Sequence, residues 1–346
     1  RVMSVINTAL LSFGMSGRLF HAPFVDQHPG FNLAGCWERS RKLIGQDYPS
    51  VRSYDSLDEL LADDAVDLVV VNTPTYTHYD FAKKVLHGGK HLVVEKAFVG
   101  NAAEAKELRD LAKYVGRKLS VFQNRRWDSD FQSVRQVLRD GVLGDIVEAN
   151  LAYSRFDANL SPKVHKEDPD IGSGAIKDIG SHVIDQALVL FGMPDGVFAD
   201  IGITRPHSRV DDYFDILLLY PDKRVHAKGG YFYKQPVPEY TFFGKNGCFL
   251  KRRADVQEPQ LDQGMKPTDT GYGIEPDGRE GRLYAGEGEP QLVRSPPGNY
   301  MEFYEGVYRS ITDGQPEPVS ADDGVRVMRI IDAAFRSHRD GAVVRP

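Results

Sequence analysis

The first third of the chain alternates short, nearly continuous apolar runs with segments of helical period. Thr8–Leu11, Phe31–Cys36, Leu68–Asn72, His91–Val94 and Leu119–Phe122 predict strands covered on both faces, because a strand with one wet face would alternate. Helix signals lie between them. Ser56 with Glu59, ahead of Leu57, Leu60 and Leu61, has the spacing of a capping box, as does Asn101 with Glu104 ahead of Leu108 and Leu111. The segment 79–87 stops at Gly88-Gly89, residues suited to a left-handed turn. Strands alternating with helices call for right-handed crossovers and a parallel sheet. A doubly wound α/β domain is therefore expected over residues 1–123.

After Asn124 the pattern changes. A helix at 131–139 leads through Gly141 and Gly144 to a long strand at 146–156, and a further helix spans 181–190. Strands at 197–203, 213–220, 224–231 and 239–243 then follow without helices between them, which predicts antiparallel pairing. The stretch 252–288, rich in Gly, Pro, Asp and Gln, reads as a long surface excursion. Helical period returns at 300–311 and 321–337. The second domain, 124–346, is expected to be α+β with a mainly antiparallel sheet. Its last helix, about 321–338, is expected to pack back on the first domain.

Bulk properties narrow the function classes. A length of 346 residues suits two cores, and 41% hydrophobic with 27% charged residues is ordinary for a globular protein. A formal net charge of −6 argues against nucleic acid as a partner. Cys36 and Cys248 are the two cysteines, so neither a disulfide framework nor a thiolate zinc site is indicated, and no metal is expected. The longest apolar runs are too short to cross a bilayer, and no signal-peptide pattern follows Met3. A cytoplasmic location is the expectation.

The end of the first strand carries Ser12-Phe13-Gly14-Met15-Ser16-Gly17, where a dinucleotide fingerprint has glycine at the first, third and sixth positions. Gly14 would let backbone approach a pyrophosphate, Gly17 would allow close helix–strand packing, and the helix N-terminus would supply amide donors. Ser12 stands in place of the first glycine. The second strand ends in Trp37-Glu38-Arg39-Ser40-Arg41-Lys42. Glu38 suits the two ribose hydroxyls of NAD, whereas Arg39, Arg41 and Lys42 suit the 2′-phosphate of NADP, so the preference stays open.

Two later strand ends place polar residues at the carboxyl edge of the sheet, where open α/β sheets bind ligands. They are Asn72-Thr73-Pro74, followed by Thr77-His78, and Glu95-Lys96-Ala97. An ammonium at Lys96 could hydrogen-bond a reacting oxygen and stabilise alkoxide character; a plain surface lysine is the bland reading. In the second domain Asp178 and His182 would lie one turn apart on one helix face, with Asp185 a turn further. An aspartate can orient an imidazole, and exchange of one proton beside a hydride is what alcohol–ketone interconversion requires. A helix cap at Asp178 with a structural histidine is the alternative. Arg155, Asp157 and Tyr153 should share one strand face, either toward a hydroxyl-rich ligand or as an ion pair, and His165 lies between Lys163 and Lys166 as a substrate contact.

Together these segments resemble the Gfo/Idh/MocA oxidoreductases over nearly the whole chain. The family's fingerprint, T-P-x-x-x-H segment, E-K-P tripeptide and D-x-G-x-H helix start correspond to Ser12–Gly17, Thr73–His78, Glu95–Ala97 and Asp178–His182. Asn124-Arg125-Arg126-Trp127-Asp128 and the run Gly174–Gly192 are most similar to the NADP-dependent scyllo-inositol 2-dehydrogenases and their uncharacterised relatives. The resemblance implies Lys96, Asp178 and His182 as the catalytic set and a Rossmann domain binding NAD or NADP. It places Phe13 to Gly17, Glu38, Arg39, Thr73, Pro74, His78, Glu95, Lys96, Asn124 and Trp127 at the cofactor. It implies a small polyhydroxylated substrate and an open second sheet used for homodimer or homotetramer contacts. A cofactor-binding sensor of the same fold, or a dehydrogenase of another diol, is the alternative function. Ala97 replaces the family's proline, which predicts a trans peptide bond after Lys96.

Overall fold

The structure, a computed structural model, describes residues 4–235 and 237–346. Its elements divide between two units. The first takes the chain up to Asn124, then Gln257–Tyr272 and Asn299–Val325; the second takes Arg125–Val256, Gly273–Gly298 and Arg326–Pro346.

The first unit is built on six parallel strands: β1 (Ile6–Leu10), β2 (Phe31–Trp37), β3 (Arg52–Tyr54), β4 (Leu68–Val71), β5 (His91–Glu95) and β6 (Leu119–Phe122). Their order, β3-β2-β1-β4-β5-β6, reverses direction between β1 and β4, where doubly wound sheets bind ligands at the carboxyl edge. Every residue of β4 is buried, which is why its sequence reads as an unbroken apolar run. Both capping boxes form. Ser56 Oγ accepts from the Glu59 amide at 3.0 Å, and Asn101 Oδ1 accepts from the Glu104 amide at 2.9 Å. The glutamates reach one residue beyond the cap, to the amides of Asp55 and Gly100.

Beyond the chain up to Asn124, the segments Gln257–Tyr272 and Asn299–Val325 also belong to the first compact unit. Part of the expected excursion is thus structured, with a helix at Gln257–Asp262 and a strand at Gly281–Tyr284. Buried Gln257 anchors the first part: its side-chain carbonyl accepts from the Tyr272 hydroxyl at 2.9 Å and the Tyr300 amide at 2.8 Å. Tyr300 packs against Phe20 and Phe24. The final helix, Ala321–Asp340, starts in the first unit, where Gly324 lies against Phe98 and Val121, and its residues from Arg326 onward belong to the second.

The second unit carries eight strands: β7 (Ile146–Ser154), β8 (Gly196–Gly202), β9 (Tyr213–Leu219), β10 (Arg224–Gly230), β11 (Tyr240–Gly244), β12 (Gly247–Lys251), β13 (Gly281–Tyr284) and β14 (Gln291–Val293). Their order is β14-β13-β12-β11-β7-β10-β9-β8, and all pairs are antiparallel except β7 with β10. The helix Ser181–Phe191 packs against β7 and β10. On other positions the sheet exposes Val147, Phe198, Phe243 and Leu292. Among the described residues no helix is long and apolar enough to cross a membrane.

Candidate active site

Each unit gathers a group of candidate residues. In the first, the chain leaves β1 at Leu11 and enters a helix at Met15. Ser12 needs no left-handed conformation: its φ is not positive, and its hydroxyl accepts the Gly14 amide at 3.2 Å, a side-chain turn that replaces glycine's freedom. Asn72, at the end of β4, fixes the turn from the side. Its amide nitrogen donates to the Ser12 carbonyl at 2.8 Å, and its oxygen accepts from the Leu11 amide at 3.2 Å. Gly17 is needed for space, since a Cβ there would lie 2.4 Å from the Ser12 carbonyl oxygen.

Gly14 differs. It is exposed, and a Cβ on it would meet nothing nearer than Ser12 Oγ at 3.6 Å. Its backbone therefore faces open space beside the first-turn amides of Met15, Ser16 and Gly17, which precede the first intrahelical bond from Arg18 to Gly14. These residues fit a pyrophosphate. Phe13 contributes backbone alone, because its ring is buried edge-on against Tyr48.

At the end of β2, Glu38 is buried and its two oxygens accept from the amides of Leu43 and Ile44 at 3.0 and 3.2 Å. The carboxylate thus closes the loop after β2. Arg39, Ser40 and Arg41 remain exposed, while Lys42 pairs with Asp55.

Thr73 and Pro74 follow β4. The buried Thr73 hydroxyl lies 2.6 Å from that of Thr77, which donates to the Pro74 carbonyl at 2.7 Å. His78 is not open to a ligand. Its ring is buried, with Nδ1 2.8 Å from the Phe98 carbonyl and Nε2 2.7 Å from the Thr73 carbonyl. It ties the loop after β4 to the turn after β5, and burial holds its pKa below the ordinary histidine value. In that turn Glu95 and Lys96 are half-buried at the carboxyl edge of the sheet. The Lys96–Ala97 peptide bond is cis, not trans as Ala97 led us to expect. The buried side chains of Ala97, Phe98 and Val99, with the His78 contact to Phe98, fix the course of the chain here.

In the second unit, Asp178 sits in a π-helical turn, Ile176–Gly180, that opens the helix Ser181–Phe191 carrying His182. The wider winding replaces the regular α-helical spacing expected between Asp178 and His182. Gly174 makes the entry possible: it adopts φ +91°, and a Cβ would collide with the Asp211 carboxylate, which accepts from the Ile176 amide at 2.8 Å. Asp178 Oδ2 accepts from Lys166 Nζ at 3.1 Å and lies 3.7 Å from Arg155 Nη1. His182 is buried. Asp185 is engaged elsewhere, by a forked contact from Arg126 at 2.8 and 2.7 Å. That clasp, with Gln186 donating to the Arg125 carbonyl at 3.0 Å, holds the turn Asn124–Trp127 against the helix. Asn124 is buried and Trp127 half-buried.

Arg155 and Tyr153 share a face, the guanidinium lying 5.3 Å from the ring centre. Asp157 does not join them. The strand ends at Ser154, and the exposed Asp157 carboxylate accepts from the Asn159 amide at 2.9 Å. His165, half-buried in the short helix Val164–Glu167, has its pKa lowered by burial and by Lys166 and Lys163. That helix is anchored by buried Arg205, which spans Glu167 (2.9 Å) and Asp212 (3.1 Å). Asn72, Asp211 and Arg205 were absent from the sequence-derived set; only the position of Asn72 at a strand end signalled it.

Residues 6–123 match the model described as the oxidoreductase family's NAD-binding Rossmann fold, and residues 135–345 match that of its C-terminal alpha/beta domain. The chain belongs to the Gfo/Idh/MocA oxidoreductase family. Residues 6–123 are the family's NAD-binding Rossmann domain. Among Gfo/Idh/MocA relatives, a scyllo-inositol 2-dehydrogenase (NADP(+)) of Bacillus subtilis is 32% identical, covering 98% of this chain and 96% of its own. An uncharacterised oxidoreductase of Schizosaccharomyces pombe is 36% identical over 99% of this chain and 100% of its own. The crystal structure of an oxidoreductase from Bacillus cereus matches with a TM-score of 0.91 at 30% identity, covering 99% of each chain.

Proposed function

We propose that this oxidoreductase moves a hydride between nicotinamide and a secondary alcohol or ketone of a cyclic polyol or sugar. The observation that carries the reading is the polar face of the second unit. There Asp178 is held by Lys166 and Arg155 on the helix start that also bears His182, with Tyr153 beside Arg155. Alternating charges with an aromatic ring suit a ligand rich in hydroxyls. The scyllo-inositol 2-dehydrogenase and a D-xylose 1-dehydrogenase (NADP(+)) of Haloferax volcanii, 24% identical over 92% of each chain, support the same substrate class.

A bound nicotinamide supplies the hydride acceptor or donor. Lys96 hydrogen-bonds the reacting oxygen and stabilises its alkoxide character. His182 takes or returns the hydroxyl proton, and Asp178 favours the charged form of that imidazole. Arg155, Lys166 and His165 orient substrate hydroxyls. NADP is the preferred cofactor in this reading, because both Glu38 oxygens already accept loop amides while Arg39 and Arg41 are exposed at the same strand end. The exposed apolar residues Val147, Phe198, Phe243 and Leu292 suit a second copy of the chain on the sheet. The free thiols of Cys36 and Cys248 suit a reducing cytoplasm.

The test is a panel of inositols and sugars offered to the protein with NADP or NAD, reading reduced nicotinamide by absorbance. Turnover with a cyclic polyol is expected. Tight cofactor binding with no turnover on any member would favour the sensor.

A further inference from the structure

Behind the turn that presents Lys96 lies a polar trio, two buried residues and the half-buried Glu95, that the chemistry above does not use. His21 closes the π-helical turn Gly17–His21, and its ring is fully buried. Nε2 is 2.7 Å from Glu95 Oε1, and Nδ1 is 2.6 Å from the Tyr304 hydroxyl. The other Glu95 oxygen accepts the Lys96 amide at 3.2 Å. Tyr304 comes from the helix Met301–Thr312, within the returning segment of the first unit.

The hydrogens can be assigned by counting donors. An ionised carboxylate only accepts, so Nε2 carries the hydrogen and donates to Glu95. In the neutral ring Nδ1 is then a lone-pair acceptor, and the Tyr304 hydroxyl donates to it. A neutral ring satisfies every contact. The surroundings are apolar: Phe122 lies 4.5 Å from the His21 ring, and Phe24, Phe31 and Phe303 pack on Tyr304. Burial pushes the Tyr304 phenol well above its ordinary pKa, so it stays protonated and remains a donor. The chain of hydrogen bonds ends in the core at Tyr304, which is fully buried, so it has no solvent outlet there and is an anchor rather than a proton wire.

We propose that Tyr304, His21 and Glu95 form a positioning relay that holds the Lys96 turn in its working geometry through the bond from Glu95 to the Lys96 amide. The proposal rests on the reading of Lys96 as the group that bonds the reacting oxygen. Small displacements of such a group are costly to the rate.

The first test needs no turnover. Nitrogen NMR of the imidazoles should show His21 as the Nε2–H tautomer with Nδ1 accepting, and Tyr304→Phe should shift the Nδ1 resonance. A neutral Nδ1–H tautomer, whose bare Nε2 has no hydrogen to give Glu95, would overturn the relay. The second test is kinetic. Tyr304→Phe, which keeps the ring and its packing, and His21→Leu should each lower kcat roughly tenfold or more with cofactor affinity unchanged. His21→Gln, whose amide nitrogen can still donate to Glu95, should recover part of the loss. If Lys96→Ala abolishes turnover while folded Tyr304→Phe and His21→Leu keep full kcat, the relay is overturned and Lys96 stands. Normal turnover in Lys96→Ala would instead remove the reading beneath it.

Discussion

The side-chain nitrogen of Asn72 donates to the Ser12 carbonyl at 2.8 Å, joining the ends of two neighbouring parallel strands across the turn that follows β1. Asn72 also accepts the Leu11 amide, which keeps a second acceptor in the Val70 carbonyl, so Asn72→Ala removes one donor from the half-buried Ser12 carbonyl and one of two acceptors from Leu11. The expected cost is about 1 kcal/mol of stability, with weaker cofactor binding. Urea unfolding and fluorescence titration with NADPH check both; wild-type values in both would contradict the assignment.

The two fingerprint glycines should separate. Gly17→Ala drives a Cβ into the Ser12 carbonyl and should destabilise the free protein by about 1–3 kcal/mol. Gly14→Ala meets no protein atom nearer than 3.6 Å and should leave the melting temperature unchanged while weakening cofactor binding. Equal melting shifts in the two variants would contradict this division of roles.

Cofactor preference is checked by Arg39→Ala and Arg41→Ala. The pair of substitutions should weaken NADP binding on the order of tenfold or more, through loss of a charged contact to the 2′-phosphate, and leave NAD binding nearly constant. A parallel loss for both cofactors would return Glu38 to the ribose.

Acid sensitivity should be traceable to His91. Burial, then Arg117, lowers its pKa to about 4, and its Nδ1 accepts the Lys118 amide at 3.0 Å, which requires a bare nitrogen. The unfolded ring titrates near pH ~6.5, so between that value and about 4 the unfolded chain binds a proton that the native state refuses. The stabilising contribution is therefore complete above the upper value and is lost as pH falls toward the lower one. The urea midpoint should decline over this window, and less steeply in His91→Gln. Identical declines would contradict the assignment.

The central strands were legible because two-sided burial leaves unbroken apolar runs, as at Leu68–Val71. β3, three residues at the sheet edge with two of them exposed, leaves no such mark. The stretch after Arg252 reads as polar because its buried groups find distant partners: Lys251 and Glu275 meet at 2.6 Å inside the second unit. Glu38 has the right type and position for a ribose contact, but a sequence does not show that nearby amides claim its oxygens. The π-helical turns at His21 and Asp178 carry no periodic signature, and His21 meets Tyr304 across 283 positions of chain.

In the proposed reaction Lys96 and His182 serve one hydride transfer. Single-turnover kinetics of Lys96→Ala and His182→Ala, run with saturating NADP and a polyol that the wild type oxidises, test it most directly. Each substitution should slow formation of reduced nicotinamide by a factor on the order of 10² or more while cofactor affinity is retained. Wild-type rates in both variants would contradict it.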